Sequence, residues 1–217
     1  MKKRNVILGI ALSMLIAAPN AYAQVKKMDK TLSKECKNKI MAYKADHWTL
    51  YDNSQSLEMS MLSHYQKLDE GGCSEVSGTA SKVISTKAGL QQAKQTACNN
   101  FAHTAMSQVY DYVMGDISEL NEIEAKDFKM FFNAYESIIE KGISNELTPT
   151  YTVIHSNGKD ESGAETFDMQ SYFIVNDSTA AQIRMNAKKE AVSESETAQK
   201  FVDKITIFLK ETVKAAQ

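Results

Sequence analysis

Ser74-Glu75-Val76-Ser77-Gly78-Thr79-Ala80-Ser81-Lys82-Val83-Ile84-Ser85, with the run 86–114 that follows it, decides how this chain folds. In the first stretch Val76, Gly78, Ala80 and Ile84 share one phase of a two-residue alternation. Glu75, Thr79 and Ser81 take the other, which is the period of a strand built of small residues. In the second stretch Leu90, Ala93, Ala97, Phe101, Ala105 and Val109 recur at three- and four-residue steps, a helical stripe. At 1.5 Å per residue such a helix is ~43 Å long, and Gly115 is placed to end it. Alanine at so many inward positions predicts close packing against a sheet or another helix.

Outward from this core the pattern stays mostly helical. Leu32, Cys36, Ile40 and Tyr43 share a helical face after a cap at Thr31 or Ser33. Leu57, Met61, Leu62, Tyr65 and Leu68 mark a second helix, ended by Gly71-Gly72. Beyond Gly115, Phe128, Phe131, Phe132, Tyr135, Ile138 and Ile139 lie on one helical face, and Gly142 stops that helix. Residues 149–176 read as a hairpin: Tyr151 and Val153 alternate with threonines, 157–163 is a polar turn, and Phe167, Met169, Phe173 and Val175 return. The chain finishes in helix, with Phe201, Ile205, Phe208, Leu209 and Val213 as its stripe. The order predicts an α+β fold: a small antiparallel sheet of one strand plus a late hairpin, with helices on one face. These are the long alanine-rich helix and a C-terminal helix, alongside N-terminal helices.

The first 23 residues carry an address. Met1-Lys2-Lys3-Arg4 is basic, an apolar run extends from Val6 to Ala18, and Ala21-Tyr22-Ala23 offers a small-x-small cleavage site before Gln24. That is the pattern of a secretory signal peptide, too short for a membrane span. Three segments follow: the leader at 1–23, an N-terminal helical segment at 24–70, and an α+β domain at 71–217 with a helical insertion at about 116–142. Removing Lys2, Lys3 and Arg4 from the 25 basic side chains leaves 22 against 27 acidic. An acidic balance argues against a nucleic-acid binder and against strong adhesion to anionic lipid surfaces. No later apolar run reaches the ~20 residues that a spanning helix needs.

Chemistry-bearing motifs are absent from the sequence. His47, His64, His103 and His155 fall at no metal-ligand spacing and read as solvated or capping side chains. There is no Gly-x-Ser-x-Gly elbow and no glycine-rich phosphate cradle, so neither a catalytic residue nor a cofactor is expected. Glu119, Glu122, Glu124 and Asp127 read as the acidic start of a helix. Of the three cysteines, Cys73 and Cys98 are held apart by a strand of ~33 Å that the helix retraces by only ~18 Å. That leaves Cys36 as the bridging residue, with Cys36 and Cys98 the candidate disulfide, worth roughly 3–4 kcal/mol, and with Cys36–Cys73 still open; buried unpaired thiols are the plain alternative. Phe128, Phe131, Phe132 and Tyr135 are either core or a partner- or ligand-facing patch.

The motif Glu75-Val76-Ser77-Gly78-Thr79-Ala80, with Ala93, Ala97, Ala102 and Ala105 after it, resembles the core of the LPP-twenty/FlgP lipoprotein family. The Ala45-Asp46-His47-Trp48 link and the late hairpin are also similar to exported proteins of gut Gram-negative anaerobes. The resemblance covers roughly residues 34–195. It implies an exported, non-enzymatic envelope domain at the periplasm, outer membrane or cell surface, and brings no catalytic residues. Two departures stand out: Gln24 replaces a lipid-acceptor cysteine, and 116–141 is additional. The function expected first is structural, through contacts with an envelope protein or with itself at a sheet edge or the aromatic helix. The second is a periplasmic carrier of a small apolar ligand between helices and sheet, with Met59, Met61, Met106, Met114, Met130 and Met169 as adaptable lining.

Overall fold

A computed structural model describes residues 25–51, 55–115 and 120–215. The leader expected at 1–23 and Glu119 lie outside the described residues. The fold is α+β. Two helices, α1 (Val25–Ala45) and α2 (Leu57–Asp69), flank a short strand β1 (Thr49–Leu50), and β2 (Cys73–Val83) follows. After α3 (Thr86–Met114) and α4 (Glu122–Ile143) comes the hairpin of β3 (Thr148–Lys159) and β4 (Glu165–Asn176). The chain then closes with α5 (Asp177–Ala191), a 3-10 turn (Val192–Glu194), α6 (Glu196–Lys200) and α7 (Val202–Ala215). The sheet is antiparallel in the order β1-β3-β4-β2. β1, from the N-terminal segment, pairs with β3 through Thr49–Ile154 and Leu50–Val153 and so joins the same sheet.

Local chemistry sets the element ends. Ser56, Ser85 and Asn176 cap α2, α3 and α5 by accepting from the backbone N–H three residues on. Asn121 and Glu124 close a reciprocal capping box at α4, and of the acids expected at a helix start Glu122 and Glu124 lie in its first turn, with Asp127 in the next. Gly71 and Gly72, at φ +79° and +73°, turn the chain from α2 into β2, a conformation that a side chain resists. The first helix begins at Val25 and runs through Thr31 and Ser33 rather than starting at either.

α3 lies almost directly on β2. A Cβ at Gly78 would stand 2.0 Å from the Ala93 carbonyl oxygen and 2.5 Å from the Ala97 amide nitrogen. Ala93, Ala97, Cys98, Ala102, Ala105, Val109 and Val113 are buried along α3, as the alanine stripe predicts. Ile84, expected inward, is 68% exposed. A register shift between Ala80 and Val83 inserts an extra position, which turns Val83 toward the core and Ile84 out.

Helices cover both faces of the sheet rather than one. Phe173 and Val175 pack under α3, whereas Tyr172, one residue away in β4 and so on the opposite face, packs with Cys36, Ile40, Tyr43 and Met61 of α1 and α2. The face that α2 buries is Leu57, Ser60, Met61 and His64, leaving Leu62 exposed where the apolar pattern placed it inside. Beyond the sheet, the far half of α3 packs with α4, α5 and α7 in a helical layer. Its core holds Phe128, Phe131, Tyr135, Ile205 and Leu209. Among the described residues no helix is long and apolar enough to cross a membrane.

Gly78→Ala is expected to destabilise the protein at the upper end of the ~1–3 kcal/mol typical of overpacking, since its neighbours are backbone atoms. Urea unfolding measures this, and an unchanged midpoint would contradict the close packing of α3 on β2.

Candidate functional site

Two places gather polar and aromatic chemistry. The first lies under α1 and α2. His64 Nε2 donates to Glu75 Oε2 at 2.5 Å, because a carboxylate only accepts. Lys39 Nζ donates to the Tyr65 hydroxyl at 3.2 Å and sits 4.1 Å from the centre of the Tyr172 ring. The Tyr43 and Tyr172 hydroxyls are 2.6 Å apart and both reach Gln170 Oε1, while Tyr151 stacks on Tyr172 at 4.4 Å. Burial alone pushes the Glu75 carboxyl up, but the His64 hydrogen bond and the Lys39 ammonium hold it below the ordinary carboxylate range. Burial pushes the Tyr43 and Tyr151 phenols up, which keeps both neutral; Tyr43 bonds to Gln170 and Tyr172, whereas the Tyr151 hydroxyl is buried without a partner among the described residues.

This cluster is a clamp rather than an open site. The His64 side chain has no exposed surface, and the rings of Tyr65, Tyr151 and Tyr172 pack edge-on around it. It fixes α1 and α2 to β2 and β4. His64 thus corrects the expectation of a solvated or capping histidine: Glu75 supplies the partner that makes burial tolerable. His103, paired with Glu136, is exposed. No group of three or more His, Cys, Asp or Glu among the described residues is placed to hold a metal ion.

The second place is a cleft of about 430 Å³ between α3 and α4. Met106, Ser107, Tyr110, Asp111 and Met114 line it from α3, with Leu120 at the turn. Ala125, Phe128, Lys129, Phe132 and Asn133 face them from α4. The helices run antiparallel here: Tyr110 meets Phe132 edge-on at 5.1 Å, and one end of the contact is fixed by His103 Nδ1 against Glu136 Oε1 at 3.1 Å. The same helix stays anchored through Asp127, whose carboxylate accepts from the Thr197 amide at 2.7 Å and the Ser195 hydroxyl at 2.8 Å. Those bonds hold the Asp127 carboxyl below its ordinary range and tie α4 to α6.

No family model, curated protein or solved structure matches this chain.

The residues singled out by the sequence divide between core and cleft. Phe128, Phe131, Phe132 and Tyr135 come together in the helical layer, all but buried, so they do not form a free patch for a partner. Phe128 and Phe132 also floor the cleft. Of the six methionines, Met106 and Met114 line it; Met59 and Met130 are exposed, and Met61 and Met169 are core. The cleft lies between two helices, not between helices and sheet. Cys36 and Cys98, the candidate disulfide, are both free and sit in core clusters on opposite faces of the sheet, which stands between them. Burial pushes both thiols up, consistent with inert core side chains. The clamp was not found in the sequence, because its members come from α1, α2, β2 and β4 at no fixed spacing. The cleft left a faint signal: Ser107 with Asp111, and Lys129 with Asn133, are four-residue polar pairs beside apolar stripes.

Glu75→Gln is expected to cost about 1–3 kcal/mol at pH 7 by weakening the bond that supports buried His64. The Glu75 carboxyl is depressed in the folded protein, so its contribution is present above the unfolded carboxylate pKa of about 4.3 and is lost as pH falls through the lower folded value. Unfolding curves should therefore converge for wild type and variant in acid. A constant gap from pH 7 to pH 2 would contradict the assignment.

Proposed function

We propose that this is an exported, non-catalytic binding protein of a bacterial envelope whose α3–α4 cleft holds a small molecule with an apolar body. The cleft carries the proposal: about 430 Å³ lies in the size range of small-molecule sites, and its floor is Met106, Met114, Leu120, Phe128 and Phe132. Two flexible thioethers let such a floor adapt to a guest's shape. Its floor of thioether and aromatic side chains favours burial of the apolar surface of a guest. The basic-apolar-small pattern of residues 1–23 supports export, and the likeness of 75–105 to the LPP-twenty/FlgP pattern supports an envelope setting.

Of the surfaces first expected to meet a protein partner, one is engaged internally and the other is partly covered. The aromatic face of α4 is core, and α3 rides over the free side of β2, where Thr96 and Asn100 donate to the carbonyls of Thr79 and Ser77. A reading through protein contacts keeps one supporting observation: Met41, Met59 and Leu62 stay exposed on α1 and α2. Sedimentation of the secreted chain and recovery of co-purifying proteins test it, and a chain that is both monomeric and partner-free removes it.

Ser107→Trp places an indole in the cleft from a half-buried wall position. It is expected to weaken binding of a fluorescent fatty-chain probe at least about tenfold, leaving the unfolding midpoint nearly unchanged. Equal probe binding by variant and wild type would place the site elsewhere.

A further inference from the structure

The walls of the cleft carry one charge of each sign. Asp111 projects from α3 and Lys129 from α4, and both line the cavity. The antiparallel register that joins His103 to Glu136 and Tyr110 to Phe132 sets Asp111 level with Lys129, and Ser107 level with Asn133 one turn further along. Among the described residues neither Asp111 nor Lys129 makes an ion pair. Toward the α3–α4 turn the lining is apolar, with Met114, Leu120, Ala125 and Phe128. The walls are therefore apolar toward the turn and charged or polar beyond it, over a floor that stays apolar through Phe132 and Met106.

Resting on the cleft as the binding site, we propose that its ligand is a single-chain amphiphile with a zwitterionic head, the class that a single-chain phospholipid represents. The chain lies over Phe128 and Met114, the anionic part of the head faces Lys129, and the cationic part faces Asp111. Charge complementarity selects this head. An anionic head at that level gains Lys129 but meets Asp111, a cationic head meets the reverse, and an uncharged head leaves both without a partner. A cavity of about 430 Å³ has room for one acyl chain but not for two with their head. Both charged side chains are exposed, so each contact is modest and the two together amount to about a tenfold preference.

The test is calorimetric titration of the secreted chain with four amphiphiles that share a dodecyl chain, each below its micelle-forming concentration: dodecylphosphocholine, dodecyl maltoside, dodecyl sulfate and dodecyltrimethylammonium. Dodecylphosphocholine is expected to bind about tenfold tighter than the other three. Asp111→Lys and Lys129→Asp should each abolish the preference, and the double exchange D111K/K129D should restore it, because the head can then reverse. Circular dichroism confirms that each variant is folded. If the four amphiphiles bind within about twofold of one another, the head assignment falls while the cleft as a site stands. A preference for one singly charged head overturns the assignment outright. If none binds, the cleft itself is not the site and both proposals fall together.

Discussion

α3 and β2 meet with almost no side-chain thickness between them, and much of the molecule depends on that approach. Gly78 lies under Ala93 and Ala97, where even one methyl group would collide with backbone. The same economy recurs at Gly89, which fits against Met169 and Val83. Small residues on both partners bring the helix down onto the sheet, where dispersion contacts accumulate along its length. Because α3 is that close, Thr96 and Asn100 reach the carbonyls of Thr79 and Ser77, and an edge strand of 11 residues is partly covered by its own helix.

A helix of 29 residues is longer than the strand it covers, and the excess has consequences. Its first half belongs to the sheet through Gly89, Ala93 and Ala97. Its second half, from Ala102 to Val113, belongs to a helical layer built around the aromatic face of α4. α4 is held there by Lys200 of α6 on Glu124, by Asp127 on α6 and by Phe128 against Phe201 at 5.8 Å. These ties fix α4 along its core face and near its start. They leave the α3–α4 seam open beside Tyr110 and Phe132, and that is where the cleft lies. On the other face of the sheet the Lys39–His64–Glu75–Tyr172 clamp does a different job, joining α1 and α2 to the sheet through a buried polar network that favours one arrangement.

The fold class was legible because its two decisive elements are strongly periodic. The small-residue alternation of β2 and the alanine stripe of α3 each admit one reading, and Ser85 and Gly115 mark both ends of the helix. Legibility failed where tertiary contacts override local pattern. Ile84 continues the alternation of Val76, Gly78 and Ala80, but a bulge reverses its phase. Leu62 completes an apolar stripe, yet α2 turns Ser60 and His64 inward because Glu75 waits on the neighbouring strand. The aromatic run of α4 was visible as a helical face, while periodicity alone does not say whether such a face meets core or solvent. The cleft depends on which helices become neighbours and at what register, and four-residue spacing within one helix carries little of that.

The α3–α4 cleft is proposed to carry a small molecule. Native mass spectrometry of the protein gently extracted from its own cells tests this. The expected spectrum is a monomer bearing one small, removable adduct, released on unfolding and missing from a Ser107→Trp form. An adduct-free chain would contradict the account, as would a defined assembly with protein companions and nothing in the cleft.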